Sequence, residues 1–301
     1  MATNLTDESV INDIDLQEAQ IRVMAWYDSA NDEVKEISIN SYGQLLTSDW
    51  HLEVALWLVD WASQYEKFGR NPDIDTWTTP EDCWNGWGLY TGFPTWSAET
   101  LEIFSDNIND TAAWTGARTV TIGNLLDEDY NLMPSITVTL NWTTAVSLWA
   151  QTYIRSSRIS VVTVWSSWHN LWTLTLRHTI TTANIFAQMP AETNQTTIMA
   201  FTVPAWKKIL MNRWFISMWR TSWAAWSAEV SIRRRQYSVA WDNAFNAIRY
   251  IWITNSSNYS FQNNWYFVFN EKDDIKVTIE DVSDNSTFVN AEADWYIIDV
   301  A

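Results

Sequence analysis

Clusters of acidic side chains are the residues of this 301-residue chain most able to do chemistry. Two carboxylates on either side of a glycosidic bond can act as general acid and as nucleophile or base, so each cluster is a candidate glycosidase or depolymerase site. With 36 acidic residues in the chain and no convergent catalytic motif beside any cluster, we predict that the protein is not an enzyme. The clusters are Asp73/Asp75, Glu81/Asp82, Asp127/Glu128/Asp129 and Asp273/Asp274.

The segment "LLDEDYN" at 125–131 has a second possible chemistry. Calcium requires several oxygen ligands from one loop, and Asp127, Asp129 and Asn131 could begin to supply them. The segment stands between two strand-like runs, however, which favours a hairpin turn. We therefore predict a turn here and no bound metal.

The histidines and the cysteine argue against other catalytic and cofactor sites. His51, His169 and His178 are far apart, and Cys83 is the one cysteine, so neither a zinc site nor an intramolecular disulfide is expected. The chain has no phosphate-binding loop, no dinucleotide fingerprint and no nucleophile elbow. We predict no catalytic residues and no cofactor.

Charge and hydropathy limit the partners. The net charge of −18 argues against a nucleic-acid-binding surface. The N-terminal segment has no basic region followed by an apolar core, and no apolar run of 18 residues occurs, so we expect no export signal and no membrane partner.

Tryptophan and glycine are present in unusual numbers. The chain has 23 Trp and 7 Gly, and all seven glycines precede residue 124; ordinary usage would give roughly 21 glycines. Several tryptophans stand where a hairpin or strand entry favours glycine, as in "NWTT" at 141–144, "VWSSWHNLW" at 164–172, "VPAWKK" at 203–208 and "ADWYIIDV" at 293–300.

A reassigned codon would explain this pattern. UGA is a stop in the standard code, tryptophan in one variant code and glycine in another. We predict that most of these tryptophans correspond to UGA codons that the natural host decodes as glycine, in particular Trp142, Trp165, Trp168, Trp172, Trp206 and Trp265. Trp26, Trp84 and Trp214 stand in contexts that suit a true aromatic. The alternative is a tryptophan-rich protein whose rings stack on sugars.

The elements that must position these residues divide the chain into four segments. Residues 1–66 are predicted to form a partly helical N-terminal arm, because 15–27 and 49–68 carry weak helical periodicity. Residues 67–97 are predicted to form an ordered connector loop rich in Gly, Pro and Asp. From residue 98 the pattern alternates with period two, which predicts two antiparallel β-sandwich or jelly-roll-like modules, 98–185 and 186–301. One larger sandwich also fits the pattern.

With glycine at the tryptophan positions, several segments resemble a family of tailed-phage virion structural proteins. The segments are 68–96, which is the most specific, "NDTAAWTGARTVTI" at 109–122, "TVTLNWTTAVSL" at 137–148 and "FTVPAWKK" at 201–208. The resemblance covers roughly residues 50–300, and the chain departs from the family pattern at 233–265.

The resemblance implies a non-enzymatic particle component, and from it we expect capsid decoration or a head or neck accessory protein. A receptor- or carbohydrate-binding tail or fibre module is the alternative. The expected partners are sister subunits, with a homotrimer first, and other virion proteins such as the major capsid protein, after assembly in the host cytoplasm. Loop 67–97 could be a packed connector or a docking site on a neighbouring virion subunit; the predicted docking residues are Phe68, Gly69, Arg70, Asn71, Pro72, Trp84, Gly86 and Gly88.

Overall fold

The structure is a computed structural model of the chain. It describes residues 20–28, 33–40, 45–46, 61–95, 98–148, 151–219, 227–238, 244–254 and 258–300. These residues form β-strands and connecting segments with no helix among them, which confirms the prediction of a mainly β, antiparallel protein. No helix within these ranges is therefore long and apolar enough to cross a membrane. The chain forms two compact units, Met1–Asp60 and Trp61–Ala301.

The N-terminal unit contains a three-stranded antiparallel sheet. Its strands are β1 (Gln20–Asp28), β2 (Glu33–Asn40) and β3 (Leu45–Leu46), in that order across the sheet. The prediction of a helix over 15–27 is wrong where the structure describes it. The sequence of β1 places Ile21, Val23, Ala25 and Tyr27 at every second position, a period of two that suits a strand.

The second predicted helix, 49–68, is also wrong over the part of it that the structure describes. Residues 49–60 lie outside the described residues, and the next residues belong to a long strand, β4 (Ala62–Ile74). This strand takes up the start of the predicted connector loop. Its side chains alternate between buried and more exposed over much of its length, but Gly, Asn, Pro and Asp in its second half resemble loop composition.

Seventeen further strands follow β4. They are β5 (Glu81–Asp82), β6 (Leu101–Ser105), β7 (Ala117–Gly123), β8 (Leu125–Leu126), β9 (Leu132–Met133), β10 (Ile136–Thr139), β11 (Val146–Ser147), β12 (Arg158–Val164), β13 (Leu174–His178), β14 (Ile185–Met189), β15 (Ala200–Thr202), β16 (Lys207–Trp219), β17 (Ser227–Arg235), β18 (Asn246–Thr254), β19 (Asn258–Phe269), β20 (Asp274–Val282) and β21 (Thr287–Asp299).

Four small antiparallel sheets and a two-stranded ribbon, β8-β9, make up this unit. Two sheets have the orders β19-β16-β21-β4 and β15-β20-β17-β18, with β5 also paired to β20. Side chains from both sheets form one core cluster, because alternate positions such as Val289, Ala291 and Ala293 of β21 and Val230 and Ile232 of β17 are buried.

The other two sheets share a second core cluster. Their orders are β10-β7-β12 and β11-β6-β13-β14. Val120 and Ile122 of β7 are fully buried in the same cluster as Ile103 of β6 and Leu174 and Leu176 of β13. Burial of these branched apolar residues, at roughly 1.5–3 kcal/mol for each side chain, holds the two sheets together.

The strands of the second pair of sheets lie in the chain between β5 and β15, and these two short strands together occupy one strand position in the first pair. Strands β5 and β15 both pair with β20 and lie end to end along it. Between them the chain leaves at Cys83 and returns at Met199, whose amide donates to the Cys83 carbonyl at 2.9 Å. We name residues 83–199 the insert.

The described strands therefore do not form two successive modules divided near residue 185. Strand β4, from before residue 98, pairs along most of its length with β21 at the far end of the chain. The alternating pattern predicted most strands correctly, but pairing depends on contacts between segments more than 200 residues apart, which a local pattern does not contain.

Candidate functional site

The first predicted docking residues lie on β4, in register with β21. Phe68 pairs with Glu292 and Asn71 with Val289. Gly69 and Asn71 are buried, whereas Arg70 and Pro72 are exposed. The Arg70 guanidinium lies 4.7 Å from the centroid of the Phe288 ring, a cation–π contact on the surface.

Glu81 and Asp82 hold the remainder of the predicted loop in place. Asp82 Oδ2 accepts hydrogen bonds from the Tyr90 amide at 2.7 Å and from Lys276 Nζ at 2.8 Å. Glu81 Oε2 accepts from Asn71 Nδ2 at 3.0 Å. Both carboxylates are buried and engaged in structural hydrogen bonds, so the arrangement does not leave them facing a substrate.

Trp84, Gly86 and Gly88 form a tight turn around one buried ring. Trp84 is 3% exposed, its indole N–H donates to the Gly88 carbonyl at 2.9 Å, and its ring lies edge-on to Tyr90. A Cβ at Gly86 would overlap the Trp84 ring, and Gly88 has a φ of 72°, which favours glycine. These packing relations support a true tryptophan at position 84.

A groove of about 340 Å³ opens between the second half of β4 and the insert, and this turn forms part of its wall. We name it the docking cleft; its lining includes Asn71, Pro72, Gly86, Trp87, Gln188 and Pro190. Three predicted docking residues, Asn71, Pro72 and Gly86, therefore meet in one concave surface. Trp84 and Gly88 belong to the same turn as Gly86 but not to the lining, and Phe68, Gly69 and Arg70 lie on β4 outside it.

The candidate calcium segment is a hairpin turn, as the sequence predicts. Strands β8 and β9 flank it as an antiparallel pair. Asp127 Oδ1 accepts from the amides of Asp129 at 3.0 Å and Asn131 at 2.8 Å, and its Oδ2 accepts from Asn131 Nδ2. The Asp127 side chain thus stabilises the turn by accepting hydrogen bonds from backbone amides that follow it, in the manner of an Asx turn.

A buried ionic network that the sequence does not reveal joins the insert to β20. Asp274 accepts hydrogen bonds from the guanidinium groups of Arg155 and Arg235 and from the Thr202 hydroxyl. Burial acts to raise the pKa of Asp274, but the two arginine charges outweigh it and hold this pKa below its ordinary value. Arg155 Nη1 also donates to the Pro94 carbonyl at 2.6 Å.

The histidines do not meet. His178 is buried, with Nε2 3.0 Å from the Tyr153 carbonyl and Nδ1 3.2 Å from Asn184 Nδ2. Burial lowers the pKa of His178, which favours the neutral ring. His169 lies on the surface 3.9 Å from Glu192, and His51 is outside the described residues.

Lys67 is a buried lysine, and no carboxylate among the described residues lies within salt-bridge distance of it. Lys67 on β4 is 6% exposed, and its Nζ donates to the hydroxyl and carbonyl oxygens of Ser157 at 3.1 and 3.3 Å. Burial, with a smaller contribution from the Arg158 charge, lowers the pKa of Lys67 to about 7. The Lys67–Ser157 contact joins β4 to the insert.

Three carboxylates on neighbouring strands β4 and β21 come close together. Ligand atoms of Glu66, Glu292 and Asp294 all lie within 4.8 Å of one another. Desolvation and the neighbouring Glu66 carboxylate raise the pKa of Glu292, and the pKa of Asp294 is raised as well. The geometry indicates mutual repulsion between these acids.

No protein-family model, curated protein or solved structure matches the chain.

Proposed function

We propose that the protein is a structural component of a tailed-phage particle, either a capsid decoration protein or a head or neck accessory protein that acts by subunit association. The strand order of the two sheets around the C-terminal core is the observation that carries this proposal. One sheet has the order β19-β16-β21-β4, and the other has β18-β17-β20 followed by β5 and β15 at its end.

Counting β5 and β15 as one interrupted strand, these eight strands follow the order of a jelly roll, in which two Greek keys interleave. Jelly rolls form viral capsid and lectin domains. Because a fold alone does not specify a function, the resemblance of segment 68–96 to tailed-phage virion proteins supports the capsid side of this choice. Under this proposal the insert is an addition to the second strand of a capsid-type domain.

Association would use the docking cleft and the terminal strands of the sheets. The Glu81, Asp82 and Asp274 carboxylates are engaged in internal contacts, so the described acids at these positions support the fold. The docking cleft is a concave surface, and under this proposal a neighbouring subunit occupies it. A specific interface needs roughly 1,600 Å² of buried surface, and packing around a symmetry axis would also cover strand edges. We therefore propose a homotrimer bound to other virion proteins, such as the major capsid protein.

Cosedimentation with particles tests this function. Particles from a phage that lacks the gene are mixed with purified protein and pelleted. We expect the wild-type protein and the control Ile180→Arg, at an exposed loop position outside the cleft lining, to pellet with the particles. Pro72→Arg, which places a long charged side chain in the cleft, should stay in the supernatant. Failure of the wild-type protein to bind would contradict the proposal.

The oligomeric state is tested separately by measuring the mass of the purified protein in solution. A trimer at micromolar concentration is expected. A monomer throughout that range would contradict the homotrimer, while leaving attachment to particles to be judged by the sedimentation result.

A carbohydrate-binding tail module is the second candidate, favoured by exposed tryptophan rings at one end of the insert. The buried Asp110 carboxylate accepts hydrogen bonds from the amides of Ala117, Leu171 and Trp172, which draws these loops together. Aromatic rings held in this way could stack on sugars. This candidate requires that the rings exist in the natural protein; they are Trp114, Trp142, Trp165, Trp168 and Trp172, each about half exposed or more.

A further inference from the structure

Three tryptophans occupy a backbone conformation that suits glycine. Trp142, Trp168 and Trp206 have φ values of 57°, 65° and 62°. A bulky side chain at positive φ brings Cβ close to the backbone, and such residues are genuine outliers. Nine non-glycine residues in the described ranges have positive φ, and because three of them are tryptophan, chance placement of a bulky residue is a poor explanation.

The turns that contain Trp142 and Trp206 favour glycine at these two positions. The Thr144 amide donates to the Asn141 carbonyl, so Trp142 is the second residue of a four-residue turn, where positive φ selects glycine. The Lys207 amide donates to the Pro204 carbonyl, so Trp206 is the third residue of such a turn. Positive φ at the third position is the mark of a type II turn, again favouring glycine.

The same three rings are left in solvent. Trp142, Trp168 and Trp206 are 49%, 82% and 68% exposed. In contrast, Trp84 and Trp214 are 3% and 0% exposed and do not have positive φ. The described tryptophans therefore include rings buried in the core and three exposed rings whose backbone has positive φ.

We propose that the natural protein has glycine at 142, 168 and 206, through UGA codons that its host decodes as glycine. The absence of any glycine after Gly123, in a chain rich in tight turns, fits this assignment. Trp84 and Trp214 are true tryptophans. Trp165 and Trp172, which are exposed in the irregular segment between β12 and β13, share the turn placement but not the positive φ.

Burial and backbone placement also bear on Trp295 and Trp265, two tryptophans whose sequence contexts suit glycine. Trp295, in the segment 293–300 that reads as a strand entry with glycine, lies in the middle of β21, is 1% exposed and stacks on Tyr65 with centroids 5.7 Å apart. We assign it as a true tryptophan. Trp265 lies within β19 and not at a turn, between Gln262 and Phe267, where the pairing with β16 shifts register.

Peptide mass spectrometry of protein isolated from its natural source tests the proposal. Tryptic peptides 119–155, 159–177 and 178–207 contain positions 142, 168 and 206. We expect the mass of glycine at each of these positions and the mass of tryptophan at 84 and 214, which serve as internal controls. Tryptophan at 142, 168 and 206 would overturn the proposal and restore the ring surface that sugar binding requires.

Recombinant variants give a second readout that does not depend on the natural source. The triple variant Trp142→Gly, Trp168→Gly, Trp206→Gly should melt at a higher temperature than the recombinant protein with tryptophan at these positions. The reason is that it removes the backbone strain of three bulky residues in the left-handed region. The matched variant Trp84→Gly, Trp214→Gly should melt at a lower temperature, because it empties core positions. A triple variant that melts at the same or a lower temperature would count against the assignment.

Discussion

The guanidinium Nη2 of Arg155 lies 3.1 Å from Asp274 Oδ2, although 119 residues separate them in the chain. Arg155 belongs to the insert and Asp274 to β20, so this buried pair joins the two core clusters. Arg235 shares the same carboxylate, and Phe93 lies beside both guanidinium groups at 5.5 and 5.7 Å from its ring centroid. The joint between the insert and the sheet that contains β20 is therefore ionic as well as apolar.

Asp274→Asn should destabilise the protein by about 3–5 kcal/mol, because it leaves two buried arginine charges without their counterion. Urea unfolding measures this change. Asp299→Asn is the matched control, since it removes a surface partner of Lys207 and should cost at most about 1 kcal/mol. Equal losses in the two variants would refute the structural role of the buried pair.

Gly69→Ala should destabilise the protein by about 1–3 kcal/mol through overpacking. A Cβ at Gly69 would overlap the Met199 amide nitrogen and lie 2.5 Å from the Cys83 carbonyl oxygen, where the insert leaves and returns. Gly123→Ala is the control, because its nearest neighbour would be the flexible Ser135 hydroxyl at 3.3 Å. If Gly69→Ala unfolds at the same denaturant concentration as wild type, β4 does not approach Cys83 and Met199 as closely as described.

Lys67→Met should stabilise the protein more at pH 6 than at pH 10. The folded pKa of Lys67 is about 7, below the ordinary 10.5, so the unfolded chain binds the additional proton between these values. Stability from this group is present above pH 10.5 and is lost as the pH falls to about 7. Urea unfolding of both proteins at the two pH values measures the difference, and a gap independent of pH would show that Lys67 is not buried as described.

Glu66→Gln should raise the melting temperature at pH 7 and have a smaller effect at pH 3. The pKa of Glu292 is raised in the folded state, so the associated stability is present at low pH and is lost as the pH rises through that folded pKa. Removing the Glu66 charge relieves the repulsion only where the neighbouring acids are ionised. Glu128→Gln, at an exposed turn, controls for the loss of one negative charge; an identical shift in that variant would argue against local repulsion.

The sequence predicted local properties of this fold well. Alternation in segments such as "ARTVTIG" placed strands correctly, and the Asp127 turn follows from short-range rules. It could not predict that β4 pairs with β21 or that one strand position is split by the insert, because these depend on tertiary contacts. For the same reason the sequence could not place Gln188 and Pro190 in one groove with Asn71, Pro72 and Gly86, because they approach from distant sequence.

Immunogold electron microscopy of intact particles tests the proposed function most directly. A peptide tag at the C-terminus of the protein, expressed in the phage, is labelled with gold-bearing antibody, and untagged particles serve as the control. The account predicts gold over the head shell or at the neck. Gold confined to the tail tip, or no gold on particles that assemble normally, would contradict a role in the head and favour the receptor-binding alternative or a role outside the particle.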